Sequence, residues 1–344
     1  MKCQMLNAPG QIEKRDLPSP SPGPGEIVVR IRVALTCGTD LKTWRRGHPK
    51  ISLPSPFGHE FSGTVAGVGE GVRTFAPGDA VMAVHSAPCG ACFYCRVGQE
   101  NLCDTLMETK VLGAYAEEIL LPAHIVARNV YLKPDHLSFE EAAFLEPLAC
   151  VVHGSLVQPL RRGEILLIVG AGSIGLLYLL LARARGVGRI LVAGKRGSRL
   201  DLARRLGADR VIDVETEDVL AVVAAETAGR GADQVIECTG RPTVWEGTMA
   251  MVRKGGRILL FGGCPSGTEV RFDAGRLHYD EIVLQGVFHF TPAAVAEARQ
   301  LLVTRAIEVA PLVSGRFGLD GLESALSLLD RGEGLKYAIL PEGR

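Results

Sequence analysis

From Glu164 onward the chain repeats one pattern, a short apolar strand followed by a helical segment, and this restricts the fold more than any other feature. Ile165 to Val169 is a continuous apolar run, Gly170-Ala171-Gly172-Ser173-Ile174-Gly175 interrupts it, and Leu176 to Arg185 has the wide apolar face of a packed helix. Further short apolar runs follow at Ile190 to Ala193, Arg210 to Asp213, Gln234 to Glu237, Ile258 to Phe261 and Ile282 to Leu284. Strands of this kind separated by helices pack best as a doubly wound parallel sheet. The glycine turn has GxGxxG spacing between a strand and a helix, where backbone amides at the helix N-terminus can receive a pyrophosphate. Gly170, Gly172, Ser173, Ile174 and Gly175 are therefore expected to bind a dinucleotide. Such a site usually has an acidic residue about twenty positions on, to bind the adenosine ribose. This chain has Gly194-Lys195-Arg196 instead, with Arg199 just beyond. A 2′-phosphate suits these cations, so NADP is favoured over NAD; the alternative is that Lys195 and Arg196 are solvated surface charges.

The first 130 residues read as mostly β. After the turn-rich connector Pro18-Ser19-Pro20-Ser21-Pro22-Gly23-Pro24-Gly25, strands are expected at Glu26 to Val33, Gly63 to Val68, Ala80 to Val84 and Ala116 to Leu121. Ser138 and Glu141 have capping-box spacing and open a helical stretch towards Val157. Beyond the parallel-sheet pattern, Pro292 to Thr304 and Leu319 to Leu329 read as helices, and Lys336 to Leu340 as a last strand.

Cysteine spacing supplies the clearest chemistry. Cys89, Cys92, Cys95 and Cys103 can close a tetrahedral thiolate site with no open position, which makes a bound zinc structural. An iron–sulfur cluster and a nucleic-acid-binding zinc ribbon are weaker readings, the first for want of a Cys-Pro ending and the second for want of a basic stripe. A second concentration of donors runs from Cys37-Gly38-Thr39-Asp40 to Gly58-His59-Glu60. Cys37 alone reads as a buried cysteine and His59 alone as a loop histidine, but together they suit a catalytic zinc, which needs three protein ligands and keeps one position open. Glu146, a lone carboxylate in the apolar run Leu145-Glu146-Pro147-Leu148, is a candidate third ligand, because burying it unpaired would be costly. Cys3, Cys150, Cys238 and Cys264 are expected to be buried and unreactive.

Thirty-eight Lys and Arg balance thirty-eight Asp and Glu, so nothing favours a nucleic-acid or anionic-membrane partner, and a small-molecule substrate is expected. The amino terminus lacks the apolar core of a signal peptide, and no apolar run is longer than Leu176 to Ala182, which is too short to span a membrane. The expected location is the cytoplasm, where clustered cysteines hold metal rather than disulfides.

These motifs, in this order and across nearly the whole chain, resemble the zinc-dependent branch of the medium-chain dehydrogenase/reductases, which includes alcohol, sorbitol and threonine dehydrogenases. The resemblance rests on Cys37 to Asp40, Gly58 to Glu60, the four-cysteine segment, Glu146-Pro147-Leu148 and Gly170 to Gly175. It implies an α/β protein, with a GroES-like, mostly-β catalytic domain over 1–155 and a Rossmann doubly wound parallel-sheet domain over 156–290. Residues 291–344 would return to the catalytic domain. It further implies one catalytic zinc on Cys37, His59 and Glu146 and one structural zinc on the four cysteines. Glu60 would lie close to the catalytic zinc, and Asp40 would hydrogen-bond His59 from behind. Glutamate as third ligand resembles the polyol dehydrogenases. Gly262 and Gly263, and Gly286, Val287 and Phe288, would surround the nicotinamide.

The implied reaction moves a hydride between a secondary alcohol or polyol and NAD(P), with Thr39 accepting the hydroxyl proton. Many relatives have a histidine two positions after the Asp40 equivalent to finish that relay; here the residue is Lys42. The segment Lys42-Thr43-Trp44-Arg45-Arg46-Gly47-His48, read as a basic loop, would border the substrate, so an acidic substrate (sugar acid, sugar phosphate or amino acid) is the alternative. Phe57 and His289 are possible cleft liners. A non-catalytic nucleotide-binding protein on the same fold is a further, weaker reading, since such relatives generally lack the zinc ligands. Family members assemble as dimers or tetramers, so a homodimer or homotetramer is expected, with the strand Ile282 to Leu284 as a possible edge.

Overall fold

The computed structural model describes residues 1–195 and 197–341; Arg196, one of the expected phosphate ligands, lies outside the described residues. The chain divides into two compact units, Met1–Ala149 with Phe290–Arg344, and Cys150–His289. The boundaries fall at 149/150 and 289/290 rather than at 155/156 and 290/291, and the first of them lies inside the helix Leu145–Val157.

In the second unit, apolar runs pair into a six-stranded parallel sheet. Its order is Arg210–Asp213, Arg189–Gly194, Ile165–Val169, Ala232–Glu237, Val252–Leu260 and Val283–Gly286. Numbered along the unit, this order is 3-2-1-4-5-6, the order of dinucleotide-binding sheets, and it reverses direction between Ile165–Val169 and Ala232–Glu237. Ligands of such sheets bind at the carboxyl ends of the strands where the order reverses. Leu167, Val169, Leu191, Ile212, Val235 and Ile258 are buried in one cluster, and Leu166, Ile168, Ile190, Val192 and Ile236, on the other face, are buried too, which explains why these strands read as unbroken apolar runs.

The first unit is built on antiparallel strands. Ile27–Leu35 pairs with Glu60–Val68 and with Glu118–Leu121, and Ala80–Ala83 and Val130–Leu132 extend the sheet on one side. On the other side Lys336–Leu340 adds antiparallel to Ile27–Leu35, and Val313–Gly318 adds parallel to Lys336–Leu340. Leu322, Ala325, Leu326 and Leu329 recur at helical spacing on Leu322–Arg331 and share a core with Ile31, Phe61 and Tyr115. A smaller sheet of Gln11–Asp16, Lys2–Ala8 and Ser55–Pro56 lies outside the expected strands, because its polar sequence, QIEKRD in one strand, hides the period. The stretch from Ser138 is two helices, Phe139–Ala142 and Leu145–Val157, and Leu319 opens with a 3-10 turn before Leu322–Arg331.

The segment after Cys37 is not a loop but the helix Gly38–Arg46. Cys37 caps it, its Sγ accepting from Thr39 N at 3.4 Å while Asp40 Oδ2 accepts from Cys37 N at 3.1 Å. This is a capping box with a thiol in the hydroxyl's place, completed by Asp40 in the first turn and Arg45 and Arg46 in the last. Among the described residues, no helix is long and apolar enough to cross a membrane.

Candidate metal centre

Two groups of donors converge in the first unit, with ligand atoms in each group within 4.8 Å of one another: Cys37, His59 and Glu60, and Cys89, Cys92, Cys95 and Cys103. The first group follows from sheet register. Leu35 pairs with Glu60, so the end of Ile27–Leu35, which leads into Cys37, lies beside the start of Glu60–Val68, which follows His59. Gly58 turns the chain into His59 at φ +89°, and an added Cβ there would lie 2.7 Å from the Tyr115 ring, so only glycine fits.

Asp40 organises the centre from behind. Its Oδ1 lies 3.1 Å from His59 Nδ1, so that nitrogen is engaged and Nε2 is the one left for a metal. Burial pulls the His59 imidazole down, but the Asp40 carboxylate and Cys37 outweigh it and raise the pKa well above its ordinary value. Glu60 is fully buried and paired with Lys336, whose Nζ donates to Glu60 Oε1 at 2.6 Å and to Thr36 O at 3.1 Å. Burial raises the Glu60 carboxyl against the pull of Lys336, while Glu60 keeps the buried Lys336 ammonium charged. The expectation placed Glu60 near the metal but gave no hint of Lys336, whose only sequence signal was a charge at the start of an apolar strand.

Glu146 lies in the first turn of Leu145–Val157, 5% exposed, but outside the set of donors within 4.8 Å of one another. Its Oε1 is 3.7 Å from Nδ1 of His85, a buried histidine that the sequence reading passed over. The His85 ring packs edge-on against His59 at 5.1 Å and against Phe290 at 5.8 Å. Thr39 is exposed on the first turn of its helix, as is Lys42 further along. Arg45 pairs with Asp330 at 2.9 Å.

The four-cysteine group fits zinc on its own geometry. A tetrahedron with Zn–S bonds of about 2.3 Å has edges of about 3.8 Å. Cys92 and Cys95 sulfurs lie 3.5 Å apart, and those of Cys89 and Cys95 3.9 Å. Backbone N–H groups of Ala91 and Cys92 point at Cys89 Sγ at 3.4 Å each, lowering that thiol to about 6 and so favouring the thiolate a metal needs. The donor chemistry of Cys37 and His59 beside a carboxylate fits the same ion.

In the second unit, the residues expected to bind cofactor collect at the carboxyl ends of the parallel strands. Gly170 follows Ile165–Val169 at φ +116°, and Gly172 precedes the helix Ser173–Ala184 with no side chain capping it. An added Cβ would meet Gly170 O at 1.9 Å at Gly175, and open space at Gly172. The turn therefore needs the one glycine for packing, and the other leaves the amides accessible. Gly194 ends the second strand, Lys195 pairs with Glu215 at 3.3 Å, and Arg199 lies on the helix that follows. Gly262, Val287 and Phe288 follow the fifth and sixth strands.

Two family models match, one described as an alcohol dehydrogenase GroES-like domain over residues 23–133 and the other as a zinc-binding dehydrogenase over 173–304. The chain belongs to the zinc-dependent medium-chain dehydrogenase family. A sorbitol dehydrogenase from Bacillus subtilis is 30% identical, with 99% of this chain and 97% of that protein covered. An L-threonine 3-dehydrogenase from Bacillus licheniformis is 31% identical, covering 94% of each. A solved zinc-binding dehydrogenase from Sinorhizobium meliloti 1021, bound to NADP, superposes with a TM-score of 0.90 at 29% identity over 99% of each chain. This dehydrogenase is accordingly an NAD(P)-dependent enzyme of alcohol or polyol substrates that uses Zn2+, with a GroES-like domain and a Rossmann-type parallel-sheet domain.

Proposed function

We propose that this dehydrogenase moves a hydride between a secondary alcohol or polyol and NADP, with NAD as the alternative acceptor. The observation that carries the reading is the cluster of half-buried Cys37 with buried His59 and Glu60, and Asp40 on His59 Nδ1. Cys37, His59 and Glu146 would hold the catalytic zinc with Glu60 beside it, and Cys89, Cys92, Cys95 and Cys103 a structural zinc. The catalytic ion supplies a Lewis acid that lowers the pKa of a substrate hydroxyl. Thr39 accepts that proton and, being a weak base, passes it on towards solvent, where it is exposed. Asp40 fixes the His59 tautomer, and Gly262, Val287 and Phe288 would surround the nicotinamide ring of a bound cofactor.

NADP is supported by Gly194, Lys195 and Arg199 and by the NADP in the Sinorhizobium relative. The Lys195–Glu215 pair is half-exposed and therefore weak, so a 2′-phosphate can displace Glu215. The sorbitol dehydrogenase supports a neutral polyol. A second reading, an acidic substrate, is favoured by the cationic turn at 48–50: Lys50 N donates to His48 Nδ1 at 3.1 Å, and Lys110 Nζ donates to Lys50 O at 2.8 Å. Burial lowers the His48 pKa, and Lys110, Lys50, His59 and Arg46 lower it further, so the imidazole stays neutral and the positive charge of the turn comes from the lysines. A homodimer or homotetramer belongs to the same proposal, with Val283–Gly286 at the sheet edge and Tyr279 and Val283 exposed near it. So does a cytoplasmic location, where thiolate ligands stay reduced.

The test is a scan of zinc-loaded protein with NAD and NADP across neutral polyols, simple alcohols, sugar acids and sugar phosphates. Neutral polyols with NADP should turn over fastest, and Lys195→Ala should weaken NADP without weakening NAD. Faster turnover of the anionic members would select the second reading, and no turnover of any member would sink both.

A further inference from the structure

Asp40 is the hub of the metal centre, and its support comes from a residue far away in sequence. Its carboxylate, 3% exposed, holds His59 Nδ1 through Oδ1 at 3.1 Å, while Oδ2 accepts from Cys37 N at 3.1 Å and from the Tyr115 hydroxyl at 2.5 Å. A buried carboxylate needs its lone pairs satisfied, and here the shortest of these contacts comes from Tyr115. We infer that Tyr115 is a positioning residue for the metal centre, its hydroxyl locking Asp40 in the orientation that presents His59 Nε2 to the metal. The inference rests on the reading of Cys37 and His59 as metal ligands.

Tyr115 is built to hold still. It is fully buried, its ring packs edge-on against Phe57 at 5.4 Å, and the Gly58 backbone lies directly against the ring. Its own backbone is tied on both sides, N donating to Phe57 O at 2.9 Å and O accepting from Gln4 N at 2.8 Å. The hydroxyl also lies 3.1 Å from Leu35 O, but it has a single proton, and the closer, charged Asp40 oxygen is the stronger acceptor. Burial, then Asp40, holds the phenol well above its usual pKa, so it remains a donor. Tyr115 therefore fixes two things His59 needs: the turn at Gly58 that delivers it, by packing, and the carboxylate that sets its tautomer, by a hydrogen bond. Loss of the hydroxyl would leave Oδ2 with one amide partner and let the carboxylate rotate away from His59 Nδ1.

The test uses the zinc-loaded full chain and Tyr115→Phe, which keeps the ring against Phe57 and Gly58 and removes only the hydroxyl. Zinc release to a chromophoric chelator is followed for both ions, the four-cysteine zinc serving as an internal reference. Outer partners of metal-bound histidines typically contribute about 10–100-fold in metal affinity, and a loss of that size is expected at one site only, with the melting temperature of the metal-free protein little changed. In an Asp40→Ala background the same substitution should cause no further loss. Unchanged affinity at both sites, equal weakening of both, or a full additional loss in the Asp40→Ala background would each overturn the inference. Wild-type protein that takes up only the four-cysteine zinc would instead overturn the ligand reading, and the inference with it.

Discussion

The two donor groups of the first unit use similar ligands but are held in opposite ways. Cys89, Cys92, Cys95 and Cys103 come from one segment of fifteen residues, and their sulfurs meet one another, backbone N–H groups of that segment, and Thr105 beside Cys103. That segment carries little core: Phe93 is 60% exposed and Val97 52%. Cys37 and His59 instead stand on separate elements and are supported by Asp40, Tyr115, Glu60 and Lys336, all nearly inaccessible to solvent. One group would thus depend on its metal for its structure, whereas the other is organised by the protein before any metal arrives. Structural zinc sites contribute folding energy outright, and catalytic ones need a shaped, pre-set pocket.

The largest expected effect separates the two directly. His59→Ala should abolish turnover and remove one of two zinc ions, while circular dichroism stays near wild type. Retained turnover would refute the reading of the buried group as catalytic. Next in size, Cys103→Ser should release the other zinc and leave the 89–103 segment open to proteolysis, since structural zinc contributes about 10–16 kcal/mol in zinc-finger peptides. Residual turnover per remaining zinc should survive. A variant that keeps two zinc ions and resists protease as the wild type does would break the contrast.

Most of this was legible in the sequence, for reasons that also explain what was not. The parallel sheet could be read because its strands are buried on both faces, so that Ile165 to Val169 and its neighbours are unbroken apolar runs. The zinc donors could be read because Cys-x2-Cys spacing and a Cys–His pair flanked by glycines carry chemistry locally. The helix Gly38–Arg46 escaped because its cap is a thiol, which is outside the usual Ser, Thr, Asp and Asn set, although Asp40 three residues on gave the second half of the signal. His85, Tyr115 and Lys336 escaped for a different reason. Their roles come from contacts across 26, 75 and 276 positions, with His59, Asp40 and Glu60, and no local pattern encodes them.

Lys336 gives the last and smallest test of the contrast, and it reads out in stability rather than chemistry. The ion pair with Glu60 is buried on both sides, at 1% and 0% side-chain exposure. Removing one partner of such a pair typically costs about 3–5 kcal/mol, because the other is left as an uncompensated buried charge. Lys336→Met should therefore lower the thermal transition clearly. Removing both charges, as Lys336→Met with Glu60→Gln, should recover much of that loss. The pair also carries a pH signature. The folded-state pKa of Lys336 is raised, so its contribution is fully present below the unfolded lysine value and is lost as the pH climbs through the higher folded value. Wild type should thus lose stability relative to the double variant on the alkaline side, in addition to the loss that the raised Glu60 carboxyl brings as the pH rises through the carboxyl range. If Lys336→Met matched wild type at neutral pH, the buried centre would owe its shape to packing alone, and its contrast with the four-cysteine segment would narrow to ligand choice.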